Sequence, residues 1–384
     1  MVKPVELYCW HFMSYPHLAP DFDQKQDTGW VTVPNTLWDK QKSRGLLREY
    51  IDQLVYASEI GFDGMVLNEH HQNIYGLMPS PNIIAAALAH ATTKGRIVVL
   101  GNLLPLHANP LRVAEEYAML DNMSDGRLIA GFVRGIGCEY HSSMVNPILS
   151  HERFHEAHDL IVQAWTRDGP FDFVGEHYNL NYVSLWPRPV QLPHPPIWVP
   201  SQGSRETIEW VAAPQRKYPL LMAFSPVDTV VRFHEAYRKA ALDFGYEVSG
   251  DQLGWSTPVY VGETDEEAYA EAAPHIEALF NHFFHIPLEY LFPPGYTSIN
   301  SFQAMMEFRK GLATSKQTLS DLMTRGNCIV GSPKTVAARI RELHERTGFR
   351  LMVPMIQFGT LPDDLVRKST RLFASEVAPA LRGL

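Results

Sequence analysis

RIVVLGNLL, residues 96–104, is apolar along its whole length; a helical pattern at 110–123 follows, then a second such run, RLIAGFV, at 127–133. A strand that is apolar throughout has both faces covered, which points to a parallel sheet with helices packed between its strands. The alternation extends outward in both directions. VELYCWHF (5–12) and FDGMVLNE (62–69) precede this pair, and PIWVPS (196–201), PLLMAF (219–224), LGWSTPVYVG (253–262) and RLMVPMIQF (350–358) follow it. Helical patterns separate them at 43–60, 81–93, 110–123, 152–167, 205–213, 228–244, 264–284 and 333–347, with a last one at 363–379. Eight strand–helix units predict an α/β fold of the (β/α)8 TIM-barrel type, with residues 1–384 as one domain. The chain exceeds the usual barrel length of about 250 residues, and the surplus collects at 14–42, 135–150, 170–195 and 280–330. The first and last are long and rich in aromatic residues. They are expected to be lids over a pocket at the C-terminal face of the strands, or else packing over the barrel or a subunit contact.

The composition sets limits on function. The 384 residues are 45% hydrophobic and 20% charged, ordinary for a globular protein. A net charge of −9 with no basic block disfavours nucleic acid or an anionic membrane as partner. Three scattered cysteines without a CxxC suggest thiols in a reducing compartment. With no apolar run of about 20 residues and no leader-like start, the expectation is a cytoplasmic protein.

Barrel chemistry sits at the C-terminal strand ends. Here these are His11, Asn68-Glu69-His70-His71, Asn102 to His107, Arg134-Gly135, Gln202-Gly203-Ser204, Ser225 and Gln357. They assemble no serine-hydrolase elbow and no Walker or dinucleotide fingerprint, and Glu69 lacks the second carboxylate of a glycosidase. Two stretches suit an anion. FVRGIG (132–137) sets Arg134 beside glycines, and PSQGSRETIEW (200–210) is a strand end, a glycine and a helix start, where Ser204 and Thr207 present hydroxyls and N–H groups. Taken singly, Ser204 is also an ordinary helix cap and Arg134 an ordinary ion-pair residue. Trp10 and His11 end the first strand and are expected to face the same cavity. His70 is suited to proton transfer near neutral pH, or to a structural bond with a backbone carbonyl. Glu69 is expected to orient its neighbours rather than move protons.

LNEHHQNIYGLMPSPNIIAAALAHAT (67–92) and RIVVLGNLLPLHANPLRVAEEYAMLDNMSDGRLIAGFVRG (96–135) resemble the bacterial luciferase-like flavin-dependent monooxygenases. The likeness resumes at PIWVPSQGSRETIEWVA (196–212) and GSPKTVAARIRELHERTGF (331–349). The resemblance implies a barrel that binds FMN, delivered reduced by a separate flavin reductase. Reduced flavin and O2 then form a peroxyflavin that oxygenates an organic substrate by hydroxylation, Baeyer–Villiger insertion or N-oxidation. It implies His70 as the active-site histidine, and Arg134, Ser204 and Thr207, with Gly203 beside them, at the phosphate. Asn102 and Leu103, with Leu104, fall under the isoalloxazine, where relatives often carry a non-proline cis peptide. Val133 stands where luciferases carry a reactive cysteine and Gly203 where they carry an acid, which argues against light emission. The aromatic lids suggest a medium or large apolar substrate, and the small-residue helix IIAAALAHA (83–91) suits a homodimer or packing on the barrel. A deazaflavin (F420) oxidoreductase of the same fold is the alternative, and a non-catalytic luciferase-like partner subunit the reading from another class.

HERFHEAH, residues 151–158, spells the H-E-x-x-H of zinc proteases. No third ligand follows at a fitting distance. Ser150 reads as a helix cap, and Phe154, Leu160, Ile161 and Trp165 as a core stripe. The expectation is therefore the fourth barrel helix and no metal site, with His151 at the edge of the pocket mouth.

Overall fold

The apolar runs become strands because burial on both faces leaves them only backbone partners. The computed structural model describes residues 4–19, 21–201, 205–297, 299 and 316–384. Its strands are β1 (Glu6–His11), β2 (Gly64–Leu67), β3 (Arg96–Leu103), β4 (Leu128–Val133), β5 (Phe171–Val174), β6 (Asn179–Val183), β7 (Ile197–Ser201), β8 (Leu220–Ala223), β9 (Leu253–Val261), β10 (Ile329–Gly331) and β11 (Leu351–Gln357). Parallel pairing runs β1-β2-β3-β4-β7-β8-β9-β11 and returns to β1, a closed ring of eight, as the alternation predicts. The remaining strands lie outside the ring. β10 pairs with the outer stretch of β9, and β5 with β6 forms an antiparallel hairpin. Sequence reading treats 170–195 as Pro-rich connection. The hairpin escapes it because Phe171 to Val183 carries one short alternation broken by Gly175.

The longer helices among the described residues are α1 (Leu46–Glu59), α2 (Pro81–Ala91), α3 (Leu111–Met123), α4 (Ser150–Thr166), α5 (Arg205–Ala212), α6 (Val227–Asp243), α7 (Asp265–Ala278), α8 (Pro333–Thr347) and α9 (Asp363–Leu372). α1 buries Leu46, Tyr50, Gln53, Leu54 and Ala57, one stripe at helical spacing laid on the barrel. The ends of α8 show how sequence sets the boundaries. The Ser332 hydroxyl accepts from the Thr335 N–H, Pro333 takes the first turn, and Gly348 stops the helix at φ +61°. Such a cap contributes about 1 kcal/mol. Two expected helices end early: after α7 and after α9 the chain makes a π turn, at Leu279–Phe283 and at Phe373–Val377.

Inside the ring, Tyr8 meets Trp198 edge-on at 4.9 Å, and Trp10 lies in register with Val66 and Met355. Strands β3 and β4 approach unusually closely. A Cβ on Gly131 would lie 2.1 Å from the Val99 carbonyl oxygen, and the pairing register shifts between Val99 and Asn102. The shift turns the end of β3, and with it Asn102 and Leu103, toward β2. A non-proline cis peptide joins Leu100 to Gly101, just before the expected Asn102–Leu104 stretch. No helix among the described residues is long and apolar enough to cross a membrane.

Candidate active site

At the ends of β2 and β3 lies a buried polar chain. One oxygen of Glu69 accepts from Asn102 Nδ2 at 2.8 Å and from the Leu103 N–H at 3.2 Å. Its other oxygen lies 2.9 Å from His71 Nε2. Asn102 Oδ1 in turn accepts from Asn82, whose amide also donates to Glu116 at 2.7 Å. Glu69 thus orients its neighbours, as its sequence context suggests. Its hydrogen bond raises the His71 pKa above the ordinary histidine value. The Asn102 side chain is spent in this network, so what the β3 end offers a ligand is its backbone and Leu103.

His70 points the other way, to a different carboxylate. Its Nδ1 lies 2.8 Å from Glu139 Oε1, and the second oxygen of Glu139 accepts from the His71 N–H at 3.1 Å. The Glu139 side chain is wholly buried, while His70 keeps 19% of its side chain exposed. A carboxylate at Nδ1 holds the proton there and leaves Nε2 as the working pole of the ring. Glu139 sits in the turn Gly137–Tyr140 after β4, two residues past the FVRGIG stretch. No local pattern in the sequence ties it to His70, which is 69 residues away.

Around His70 closes an aromatic collar. Trp30 and Tyr75 stand edge-on to its ring at 5.4 and 5.0 Å. Tyr75 continues to Phe12 at 4.9 Å and Phe284 at 5.2 Å, and Phe224 joins both at 5.6 and 4.8 Å. Phe224 holds a left-handed φ of +55°, a costly conformation for a bulky residue of the kind that gathers at functional sites. The two expected lid segments meet here. Trp30 Nε1 donates to the Phe283 carbonyl at 2.6 Å, and the Thr28 hydroxyl to the His285 carbonyl at 2.8 Å. Residues 298 and 300–315 of the second segment lie outside the described residues.

Arg134 follows β4 on the same face. Its Nη1 donates to the Ser150 hydroxyl at 3.0 Å and to the Tyr296 carbonyl at 2.9 Å, and the guanidinium lies 4.0 Å over the Tyr296 ring. Both of these bonds use Nη1, so the Nε and Nη2 edge of the guanidinium is the part that could serve an anion. Gly135, at φ +83°, leaves room for Leu103, which a Cβ there would meet at 2.2 Å. Ser150 is therefore the partner of Arg134 and not the cap that sequence suggests. α4 begins at Ser150 itself, and no side chain caps it. Thr207 lies in the first turn of α5, while Gly203 and Ser204 fall outside the described residues.

One other expectation changes. His11 does not face the cavity: its Nε2 meets Gln53 on α1 at 2.7 Å, its Nδ1 accepts from the Met13 N–H, and its ring packs on Tyr50. Burial pushes its pKa down to about 4. The register irregularity between Trp10 and His11 accompanies this turn, while Trp10 stays inside, 6.5 Å from Phe224. On α4, the helix that the sequence predicts, His155 and His158 of HERFHEAH pack inward while His151 is exposed. His155 stacks on Trp210 at 5.2 Å and 8°, and His158 bonds Asp159 and the Tyr218 hydroxyl. Among the described residues no three His, Cys, Asp or Glu side chains are placed to hold a metal.

A parallel eight-stranded ring with a histidine–carboxylate pair and an anion-ready arginine at its strand ends is the build of a barrel enzyme. The profile of the luciferase-like monooxygenases matches residues 28–350, and the chain belongs to that family of oxidoreductases. It is 27% identical over 347 residues to the 4-hydroxyprotoasukamycin monooxygenase of Streptomyces nodosus subsp. asukaensis, covering 88% of this chain and 86% of that one. In fold it resembles the oxygenating constituent of 3,6-diketocamphane monooxygenase of Pseudomonas putida, a type II Baeyer–Villiger monooxygenase in complex with FMN. There the TM-score is 0.73 and the identity 22%, over 99% of this chain and 98% of the other. An F420-dependent secondary alcohol dehydrogenase shares the fold at a TM-score of 0.67 and 14% identity, over 99% of each chain.

Proposed function

We propose that this protein is the oxygenase of a two-component, FMN-dependent monooxygenase, supplied with reduced FMN by a separate flavin reductase. The observation that carries the reading is the His70–Glu139 pair under an aromatic collar, with the Arg134 guanidinium on the next strand but one. The residues suit FMN. Arg134 has donors to spare for a phosphate, and Thr207, with Gly203 and Ser204, would complete that grip at the start of α5. Leu103 and the backbone around Asn102 would underlie the ring. When bound in reduced form, FMN supplies the two electrons that, with O2 and two protons, place one oxygen atom in the substrate and the other in water. His70 holds or delivers a proton at Nε2, and Glu139 keeps the ring in that tautomer. Phe12, Trp30, Tyr75, Phe224 and Phe284 exclude water from the same space.

The substrate on this reading is a largely apolar organic molecule. The chain acts as one barrel domain whose segments 14–42 and 280–330 form the lid. Buried thiols at Cys9, Cys138 and Cys328 suit a cytoplasmic setting. Ile83 on α2 and Met119 and Met123 on α3 are 69%, 49% and 50% exposed, and they form the face through which a homodimer assembles. The test is reconstitution. O2 uptake coupled to product should appear with FMN, NADH and a flavin reductase; turnover with reduced F420 alone would replace FMN by the deazaflavin.

A further inference from the structure

Asn68, Gln357 and Trp10 take no part in the site as described so far. They are 3%, 0% and 5% exposed. Among the described residues, neither Nδ2 nor Oδ1 of Asn68 has a hydrogen-bond partner, and nor has Gln357 Nε2 or Trp10 Nε1. The fold sets these groups together. β11, β1 and β2 are adjacent, and Trp10 lies in register with Met355 and Val66. Asn68 and Gln357 stand two residues beyond Val66 and Met355, at the C-terminal ends of β2 and β11, where the Gln357 Oε1 accepts from the Ser14 N–H at 3.4 Å. An amide left dry and unpaired opposes folding. Two amides with unpaired atoms and an unpaired indole N–H at neighbouring strand ends suit a ligand that can pair them.

Their chemistry defines it. Trp10 Nε1 and Gln357 Nε2 only donate, and Asn68 donates and accepts. A hydroxyl or an amide, which donates and accepts at once, satisfies the set. A plain hydrocarbon satisfies none of it, and a carboxylate, which only accepts, would leave Asn68 Oδ1 unpaired. In the ring of eight, β1 stands four strands from β7, hence opposite it. Gln357, at the end of β11, stands four strands from β4 and so opposite Arg134, while Asn68, at the end of β2, stands two strands from it. We propose that Asn68, Gln357 and Trp10 form a neutral head-group site, and that the substrate carries a hydroxyl or amide seated there while its apolar remainder lies on the aromatic collar. The proposal rests on the reading of the barrel mouth as the reaction site.

The test compares wild type with Asn68→Leu and with Asn68→Leu/Gln357→Met, which keep the volume and remove the amides. Equilibrium dialysis measures naphthol, naphthalene and naphthoate against the FMN-loaded protein. Wild type should prefer naphthol to both others by about tenfold or more, and the double variant should lose that preference. Ligand-free Asn68→Leu should melt no lower than wild type, since it removes an unpaired group. A preference absent from wild type, kept by the double variant, or replaced by binding of no probe overturns the proposal. So does a clear fall in melting temperature, which would give Asn68 a structural partner. A tenfold loss of FMN affinity in the variants also overturns it, by assigning the amides to the cofactor. Failure of wild type to bind FMN or consume O2 would instead strike the functional reading.

Discussion

Asn68–His71 and His151–His158 are both histidine-rich, both contain a glutamate, and they part company once folded. At the end of β2 each imidazole meets a buried carboxylate, His70 from Glu139 and His71 from Glu69. On α4 His155 lies flat on Trp210 and burial pushes its pKa down to about 4, and burial lowers His158 as well although it bonds the half-exposed Asp159. A carboxylate holds a ring in one tautomer and keeps it available for proton transfer, whereas an aromatic neighbour in a desolvated setting keeps it neutral. The more familiar spelling thus lies in the less reactive setting.

This contrast fails first, if it fails, at His70. His70→Ala should lower oxygenation by about 10²- to 10⁴-fold while FMN binding persists, read from product formation and flavin titration. Glu139→Gln should cost about tenfold in kcat with KM little changed, because an amide cannot accept from both His70 Nδ1 and the His71 N–H. Glu139→Asp should restore part of it. Equal activity in His70→Ala and wild type would erase the distinction between the two stretches.

The chain's neutral, buried histidines give a second handle. Burial lowers the pKa of His11 and of His234 from 6.5 to about 4. Between these values the unfolded chain binds protons that the folded one refuses, so stability falls as pH drops through that window and levels off below it. Thermal melts should show a loss of several degrees from pH 6.5 to about 4. His11→Gln should give a shallower slope, and an identical slope would count against a buried neutral His11. The smallest effects belong to α4. His155→Ala should cost about 1 kcal/mol in urea melts through the lost stack, with turnover nearly intact. Dialysis against a chelator should change neither. Metal-dependent activity lost with His155 would return HERFH to the chemistry.

What was legible in the sequence follows the range of the interactions. Periodicity is local, so the eight barrel strands and the helices between them could be read, and so could the boundary at Gly348. The early ends of α7 and α9 could not, because a π turn keeps the helical apolar pattern. His70, Arg134 and Glu69 stand out because strand ends are where barrel chemistry falls. Glu139, Tyr296 and Ser150 do not, since each acquires its role from a contact across 16 to 162 residues. His11 departs from the expectation because neighbours in a strand face opposite sides: with Trp10 inside the ring, His11 turns outward to Gln53 and Tyr50 on α1.

Trp30 is bonded through its indole to the Phe283 carbonyl, 253 residues along the chain, while its ring walls His70. One side chain thereby makes the first insertion answerable to the second. Neither can be exchanged alone for that of a relative with a different substrate, because the donor and its carbonyl must travel together. In the history of such enzymes the two segments are expected to change in step, and a designer seeking new specificity should graft them as a single two-part cassette.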